Sequence, residues 1–235
     1  MAAILCYVTD RNALASPDAA SLLSVVRRAI AAGIHWIQIR EKDLPARALV
    51  ALAREAVAAA RGSATRILIN GRLDVAVAAG AGGVHLGGDA LPLAEVAAWC
   101  AKNVPQFAAA PRDKQDAGLP TASGQVPAGA TAFLLGASCH SLGEAQVAER
   151  DGAHYIIFGP VFSTPSKMQF GTPQGLARLE EVCRAVRIPV LAIGSITLGN
   201  ARDCLRAGAA GIAAIRLFQE CEDLQEVVSE LRRAS

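Results

Sequence analysis

Several short polar clusters interrupt a chain that is 52% hydrophobic. The first is Gln38-x-Arg40-x-Lys42, within "QIREK". An amide, a guanidinium and an ammonium at alternate positions share one side of an extended segment. Burying that trio is costly unless an anionic or strongly polar ligand compensates, so the cluster predicts anion binding. An internal ion pair to Glu41 is the blander account. The second cluster is Ser138-x-His140, in "ASCHS". Cys139 points to the opposite side, which argues against a Cys–His nucleophile pair. An imidazole that titrates near neutral pH makes His140 the candidate proton-transfer group. Ser141 and Glu144 have capping-box spacing for a following helix. The third cluster, Thr164, Ser166 and Lys167 in "FSTPSK", sets hydroxyls and an ammonium in a glycine-bearing loop, the makings of a phosphate cradle. Gly194-Ser195 and Ile215-Arg216 offer backbone amides and a guanidinium for a second phosphate grip.

The elements that must position these groups follow a regular rhythm. Apolar runs at 4–10, 35–41, 66–70, 83–87, 133–139, 155–161, 189–194 and 211–215 predict strands. Each precedes a predicted helix, at 18–32, 45–61, 73–80, 92–102, 142–151, 174–186, 198–207 and 222–233. Several of these helices run into a glycine, in "AAGIHW", "RDGAHY" and "RAGAAG", the residue that closes a last turn in left-handed conformation. Eight strand–helix units predict an α/β protein with a parallel (β/α)8 TIM barrel. An open doubly wound sheet is the second choice, weakened because no G-x-G-x-x-G follows the first strand. In a barrel, the polar clusters fall at strand C-termini, where such folds build their sites. Asn70-Gly71, in "LINGR", would be a hairpin signal in isolation. Between a strand and a helix it becomes a βα loop, with Asn70 facing the pocket. His35 and His154 fall at strand starts and are expected to be structural. His85, near a strand end, is read equally as a pocket group or a packed one.

Bulk properties bound the function. One TIM-barrel domain over 1–235 is expected, with a loop insertion around 105–131 that is rich in Pro, Ala and Gly. A net charge of +2 carries no basic field for nucleic acid. No apolar run of membrane-spanning length is free of interruption. The six cysteines lack metal or disulfide spacing, and the N-terminus lacks a signal-peptide pattern. These features predict a cytoplasmic enzyme with no nucleic-acid or membrane partner, and they leave a homo-oligomer open.

The ordered motifs "YVTD", "QIREKD", "LINGRLDVAVAAGAGGVHLGG", "GASCHSLGEA", "YIIFGPVFSTPSK" and "PVLAIGSI" resemble the thiamine phosphate synthase/TenI superfamily. The resemblance covers nearly the whole chain outside 105–131. Synthases of this kind join a pyrimidine diphosphate to thiazole phosphate and expel pyrophosphate. By resemblance, Gln38, Arg40, Lys42, Asn70, Ser138, Thr164, Ser166 and Lys167 bind substrate, and Gly194, Ser195, Ile215 and Arg216 lie around the thiazole phosphate. The resemblance also exposes departures. Gly71 and Ala90 stand where the synthases carry the aspartates that bind Mg²⁺, which leaves Asp89 and Asp74 as weak substitutes. Arg216 replaces a serine. These departures favour the metal-independent TenI-like branch, a thiazole tautomerase (an isomerase) with His140 as its acid–base group and no cofactor. A thiamine phosphate synthase (a transferase) with altered metal binding, requiring Mg²⁺, is the alternative. A non-catalytic binding or regulatory protein of thiamine biosynthesis is the third reading.

Overall fold

The computed structural model describes residues 3–107, 132–163 and 173–233. Strands β1 (Ile4–Val8), β2 (Trp36–Ile39), β3 (Arg66–Asn70), β4 (Gly83–Leu86), β5 (Leu134–Cys139), β6 (Tyr155–Phe158), β7 (Val190–Ala192) and β8 (Gly211–Ala214) pair in chain order. All pairs are parallel, and β8 returns to β1, which closes the barrel and excludes the open sheet. Helices α1 (Ala19–Ala31), α2 (Ala46–Ala60), α3 (Leu73–Ala79), α4 (Leu93–Asn103), α5 (Leu142–Arg150), α6 (Gly175–Ala185) and α7 (Leu198–Arg206) follow the first seven strands. A short α8 (Arg216–Gln219) and then α9 (Leu224–Arg233) follow the eighth. The expected TIM barrel is therefore the fold.

Strand alternation builds two cores. Ile4, Cys6 and Val8 of β1 face the axis together with Trp36, Leu68, Leu134, Tyr155, Ile157 and Leu191. Leu5 and Tyr7 face outward into the layer between strands and helices. Each fully buried aliphatic or aromatic side chain contributes about 1.5–3 kcal/mol of transfer free energy. The helix-ending glycines behave as their sequence context predicts: Gly33, Gly80, Gly152 and Gly208 all have positive φ.

Boundaries differ from the sequence reading where hydrogen bonding fails. β6 stops at Phe158 and not at Val161, because Pro160 has no N–H to continue the ladder. β2 stops at Ile39, two residues short of its predicted end. Of the expected insertion, residues 105–107 form a 3-10 turn with Phe107 buried, and residues 108–131 lie outside the described residues. All six cysteines are free thiols. Among the described residues no helix is long and apolar enough to cross a membrane.

His35 and His154 are structural, as expected. Each sits at the start of a strand and accepts a backbone N–H on Nδ1, from Leu5 at 2.9 Å and from Leu135 at 3.0 Å. Burial, reinforced by the charge of Arg232, pushes the His35 pKa down from 6.5 to about 4. Below pH 6.5 the unfolded chain therefore takes up a proton that the folded chain refuses. The stability contributed by neutral His35 is complete above that pH and declines until the pH nears 4. Replacing His35 by Asn, which keeps an acceptor, is expected to flatten the plot of unfolding free energy against pH across this window. Urea titrations at stepped pH check this; an unchanged slope would contradict it. His85, depressed in the same direction, keeps the slope from vanishing.

Candidate active site

A cavity of about 1010 Å³ opens at the C-terminal ends of the strands. Gln38, Arg40, Asn70, His85, Ser138 and His140 line one side, and Gly159, Ile193, Gly194, Ser195, Ile215 and Arg216 the other. His140, Gln38, Arg40, Asn70, Ser138, Gly194, Ser195, Ile215, Arg216 and His85, all singled out by type, spacing or resemblance, are thus brought together.

The first wall is set by a buried carboxylate. Glu41 is 3% exposed and accepts from Thr9 Oγ1 at 2.6 Å and from the Arg11 backbone N–H at 3.1 Å. Thr9 Oγ1 in turn accepts the Arg40 backbone N–H at 2.9 Å. The Arg11 guanidinium lies 3.4 Å from Glu41 and grips Asp43 with two bonds of 2.7 Å. This clamp ties the end of β1 to the loop after β2. Glu41 pairs with Arg11 and not with Arg40, so the bland reading of Arg40 as an internal ion pair fails. The Arg40 guanidinium makes no hydrogen bond or ion pair with the described residues and borders the cavity.

Beside it, Gln38 Nε2 donates to Asn70 Oδ1 at 2.9 Å. Gln38 is 2% exposed, and its Oε1 has no hydrogen-bond partner among the described residues. A buried amide oxygen left so costs about 1–3 kcal/mol unless a ligand donates to it. The two amides together present a free acceptor and free donors, the pattern that recognises the edge of a nitrogen heterocycle. Gly71, next in the chain, has φ +70 with open space around its Cα, and its N–H donates to the His85 carbonyl at 2.7 Å.

On β5, Ser138 Oγ is 2.9 Å from His85 Nε2, and His85 Nδ1 is 3.2 Å from the Tyr155 hydroxyl. His85 is therefore both packed and part of the cavity wall. Burial first, then the charge of Arg40, pushes its pKa down to about 3, so it is neutral. His140 is exposed at the rim. Its Nδ1 contacts the Gly159 carbonyl, which can only accept, so a neutral His140 keeps Nε2 free of a proton. Ser141 caps α5 by accepting from the Glu144 N–H at 3.2 Å. The Glu144 carboxylate closes the cap on the His140 N–H at 2.6 Å, one residue earlier than a standard box. That shift anchors the His140 backbone.

The opposite wall is backbone-rich. Gly194 has φ +109 and Ser195 φ +48, a conformation uncommon outside glycine and enriched at functional sites. Asn200 Nδ2 donates to the Ser195 carbonyl at 3.0 Å, while Asn200 Oδ1 accepts from the Thr197 N–H at 2.8 Å. Beyond the end of β8, Tyr7 donates to Gln219 Oε1 at 2.7 Å, and Gln219 Nε2 donates to the Asp10 carbonyl at 2.7 Å. Arg216 lines the cavity but is largely exposed, 3.9 Å from Glu220.

Some expected residues stand elsewhere. Lys42 lies outside the cavity wall. The chain turns after β2, so strand parity no longer applies, and the ammonium reaches Asp89, in the loop after β4, at 3.7 Å. Asp74 is gripped by Arg72 through bonds of 2.8 and 2.6 Å. Thr164, Ser166 and Lys167 lie outside the described residues. Among those described, no group of three or more His, Cys, Asp or Glu side chains could hold a metal ion. Thr9, Glu41, Asn200 and Tyr155 were missed as site-building residues. Only Tyr155 left a trace in the sequence, by alternating with Ile157 toward the axis.

Comparison with known proteins bears on this site. The model of the family described as thiamine monophosphate synthase matches residues 5–104 and 123–218. A thiamine-phosphate synthase of Roseiflexus castenholzii is 38% identical over 212 residues, 90% of this chain and 79% of that protein. One from Methanoculleus marisnigri is 38% identical over 208 residues, 88% and 85% of the respective chains. Among solved structures, thiamine phosphate pyrophosphorylase from Pyrococcus furiosus superposes with a TM-score of 0.74 at 30% identity, covering 98% of this chain and 95% of that one.

Gly194 is held by geometry. A Cβ there would lie 2.6 Å from Pro160 Cα, on a backbone already at φ +109. Gly194→Ala is expected to cost about 1–3 kcal/mol. In urea unfolding the midpoint falls while the slope is unchanged; an unmoved midpoint would mean that the wall after β7 yields freely.

Proposed function

The chain belongs to the thiamine monophosphate synthase family, and from that premise we propose that it is a thiamine phosphate synthase, coupling a pyrimidine diphosphate to a thiazole phosphate with release of pyrophosphate. One observation carries this reading over the tautomerase: groups suited to anions line the cavity on two walls. Arg40 and Ser138 stand on one wall, Gly194 and Ser195 on the other, and the Gln38–Asn70 amide pair lies on the wall of Arg40. A coupling enzyme must hold two phosphorylated partners at once, whereas an isomerase of one phosphate ester needs a single grip. The synthase names of the relatives support the same choice.

In this reading Gln38 and Asn70 orient the pyrimidine, and Arg40 and Ser138 hold its diphosphate. The loop at Gly194–Ser195 holds the thiazole phosphate. As the carbon–oxygen bond to the diphosphate breaks, the electron pair leaves with the diphosphate, the Arg40 guanidinium meets the charge that develops there, and the lone pair of the thiazole nitrogen forms the new carbon–nitrogen bond to the carbon left electron-poor. Proximity does the rest, since both partners are fixed in one cavity.

Mg²⁺, which the resemblance implies, supplies further neutralisation of a diphosphate when bound. The donors present do not fit the family's pair of carboxylates. Gly71 and Ala90 offer none, Asp74 is engaged by Arg72, and Asp89 is largely exposed and paired with Lys42.

The tautomerase reading retains one specific support: His140 Nε2 is an available base at the rim. Incubation with both substrates, with and without Mg²⁺, decides between the two. Thiamine phosphate and pyrophosphate are expected in equal amounts, and Arg40→Ala should lower kcat/KM by roughly 10- to 100-fold. No coupling under either condition, with isomerisation of thiazole carboxylate phosphate that His140→Ala abolishes, would replace this proposal by the tautomerase.

A further inference from the structure

We propose that Tyr155 and His85 are positioning residues that fix the direction of a hydrogen-bonded chain and so present the Ser138 hydroxyl to the cavity as a donor to an anion.

The chain runs from the axis of the barrel to its mouth. Tyr155 is fully buried, His85 is 2% exposed and Ser138 is half-buried at the cavity wall. The links are 3.2 Å and 2.9 Å. Tyr155 has little freedom to leave. Its ring centroid lies 4.7 Å from that of Trp36, and a Cβ on Gly136 would fall 2.4 Å from its hydroxyl oxygen.

Counting protons gives the direction. A neutral imidazole carries one N–H, so the two links must run the same way along the chain. In one arrangement Tyr155 donates to Nδ1, Nε2–H donates to Ser138 Oγ, and the serine proton turns toward the cavity. In the other, Ser138 donates to Nε2 and Nδ1–H donates to Tyr155, which strands the phenol proton. His85 is the only hydrogen-bond partner of Tyr155 among the described residues. A buried donor without an acceptor loses its full hydration, which favours the first arrangement by roughly tenfold or more. The neutrality this assumes follows from the burial of His85 and from Arg40 nearby.

The result inverts an obvious reading. A serine hydrogen-bonded to a histidine suggests a nucleophile with its base. Here the histidine donates, so it cannot take the serine proton. Ser138 is instead a fixed donor beside the guanidinium of Arg40, suited to a phosphate or diphosphate oxygen. The choice of anion rests on the coupling function proposed above; the direction of the chain does not.

Imidazole 15N NMR, with His85 assigned by loss of its signals in His85→Gln, reads the direction. The Nε2–H tautomer is expected from about pH 5 to about pH 8. Tyr155→Phe keeps the ring but removes the donor, so the Nδ1 signal should shift while the far-UV circular dichroism stays native. Titration with inorganic pyrophosphate reads the consequence. Tyr155→Phe and Ser138→Ala should each weaken binding by roughly 3- to 10-fold, and the double variant should be no weaker than Ser138→Ala alone. An Nδ1–H tautomer in the wild type, or a Tyr155→Phe variant with unchanged tautomer and affinity, would overturn the proposal. An Nε2–H tautomer in a protein that does not bind pyrophosphate would overturn the anion, and with it the coupling function, while the direction of the chain stood.

Discussion

A closed barrel has an axis that only side chains can fill, and any polar atom that reaches it must pair with another or with a ligand. The rest of this molecule follows from that constraint. In the lower layers the axis is filled by Ile4, Trp36, Leu68, Leu134, Tyr155 and Leu191. Above them the inward positions become Gln38, Asn70, His85 and Ser138, which pair across neighbouring strands, Gln38 with Asn70 and His85 with Ser138. The network ends at the cavity, where Gln38 Oε1 has no partner among the described residues. The site begins where the internal hydrogen bonding of the barrel runs out.

The two walls are held by different means. On the β1–β2 side, side chains do the holding: Thr9, Arg11, Glu41 and Asp43 form a clamp that fixes the backbone of Arg40. A part-buried pair such as Arg11–Glu41 contributes little net stability after the desolvation of its carboxylate. Its effect is geometric, because it commits Glu41 outward and leaves Arg40 for the cavity. On the β7–β8 side, backbone shape and amide brackets do the holding, through Gly194, Ser195 and Asn200 and through Gln219.

The architecture was legible because periodicity and helix-stopping glycines are local signals. The inward-facing candidates Gln38, Asn70 and Ser138 were legible for a related reason: parity follows from counting residues along a strand, and Arg40 and His140 stand one residue past a strand end, where the count still served. Parity lapses where a strand ends, and β2 ends at Ile39, so Lys42 was misplaced. Pairings between distant residues leave no local trace either. Arg11 and Glu41 are 30 residues apart, and Tyr155 and His85 are 70 apart. The β3 loop shows the limit most clearly. "NG" carried the left-handed conformation correctly, since Gly71 has φ +70, but as part of a βα loop and not of a hairpin.

That conformation has a consequence for how such a site changes over generations. Glycine, asparagine and aspartate are the residues that tolerate a left-handed backbone most readily, and the space around Gly71 is open. The loop is therefore a socket whose shape does not depend on which of the three occupies it. A lineage can gain or lose a carboxylate there without refolding the barrel, so the chemistry at this rim is free to drift while the scaffold stands still.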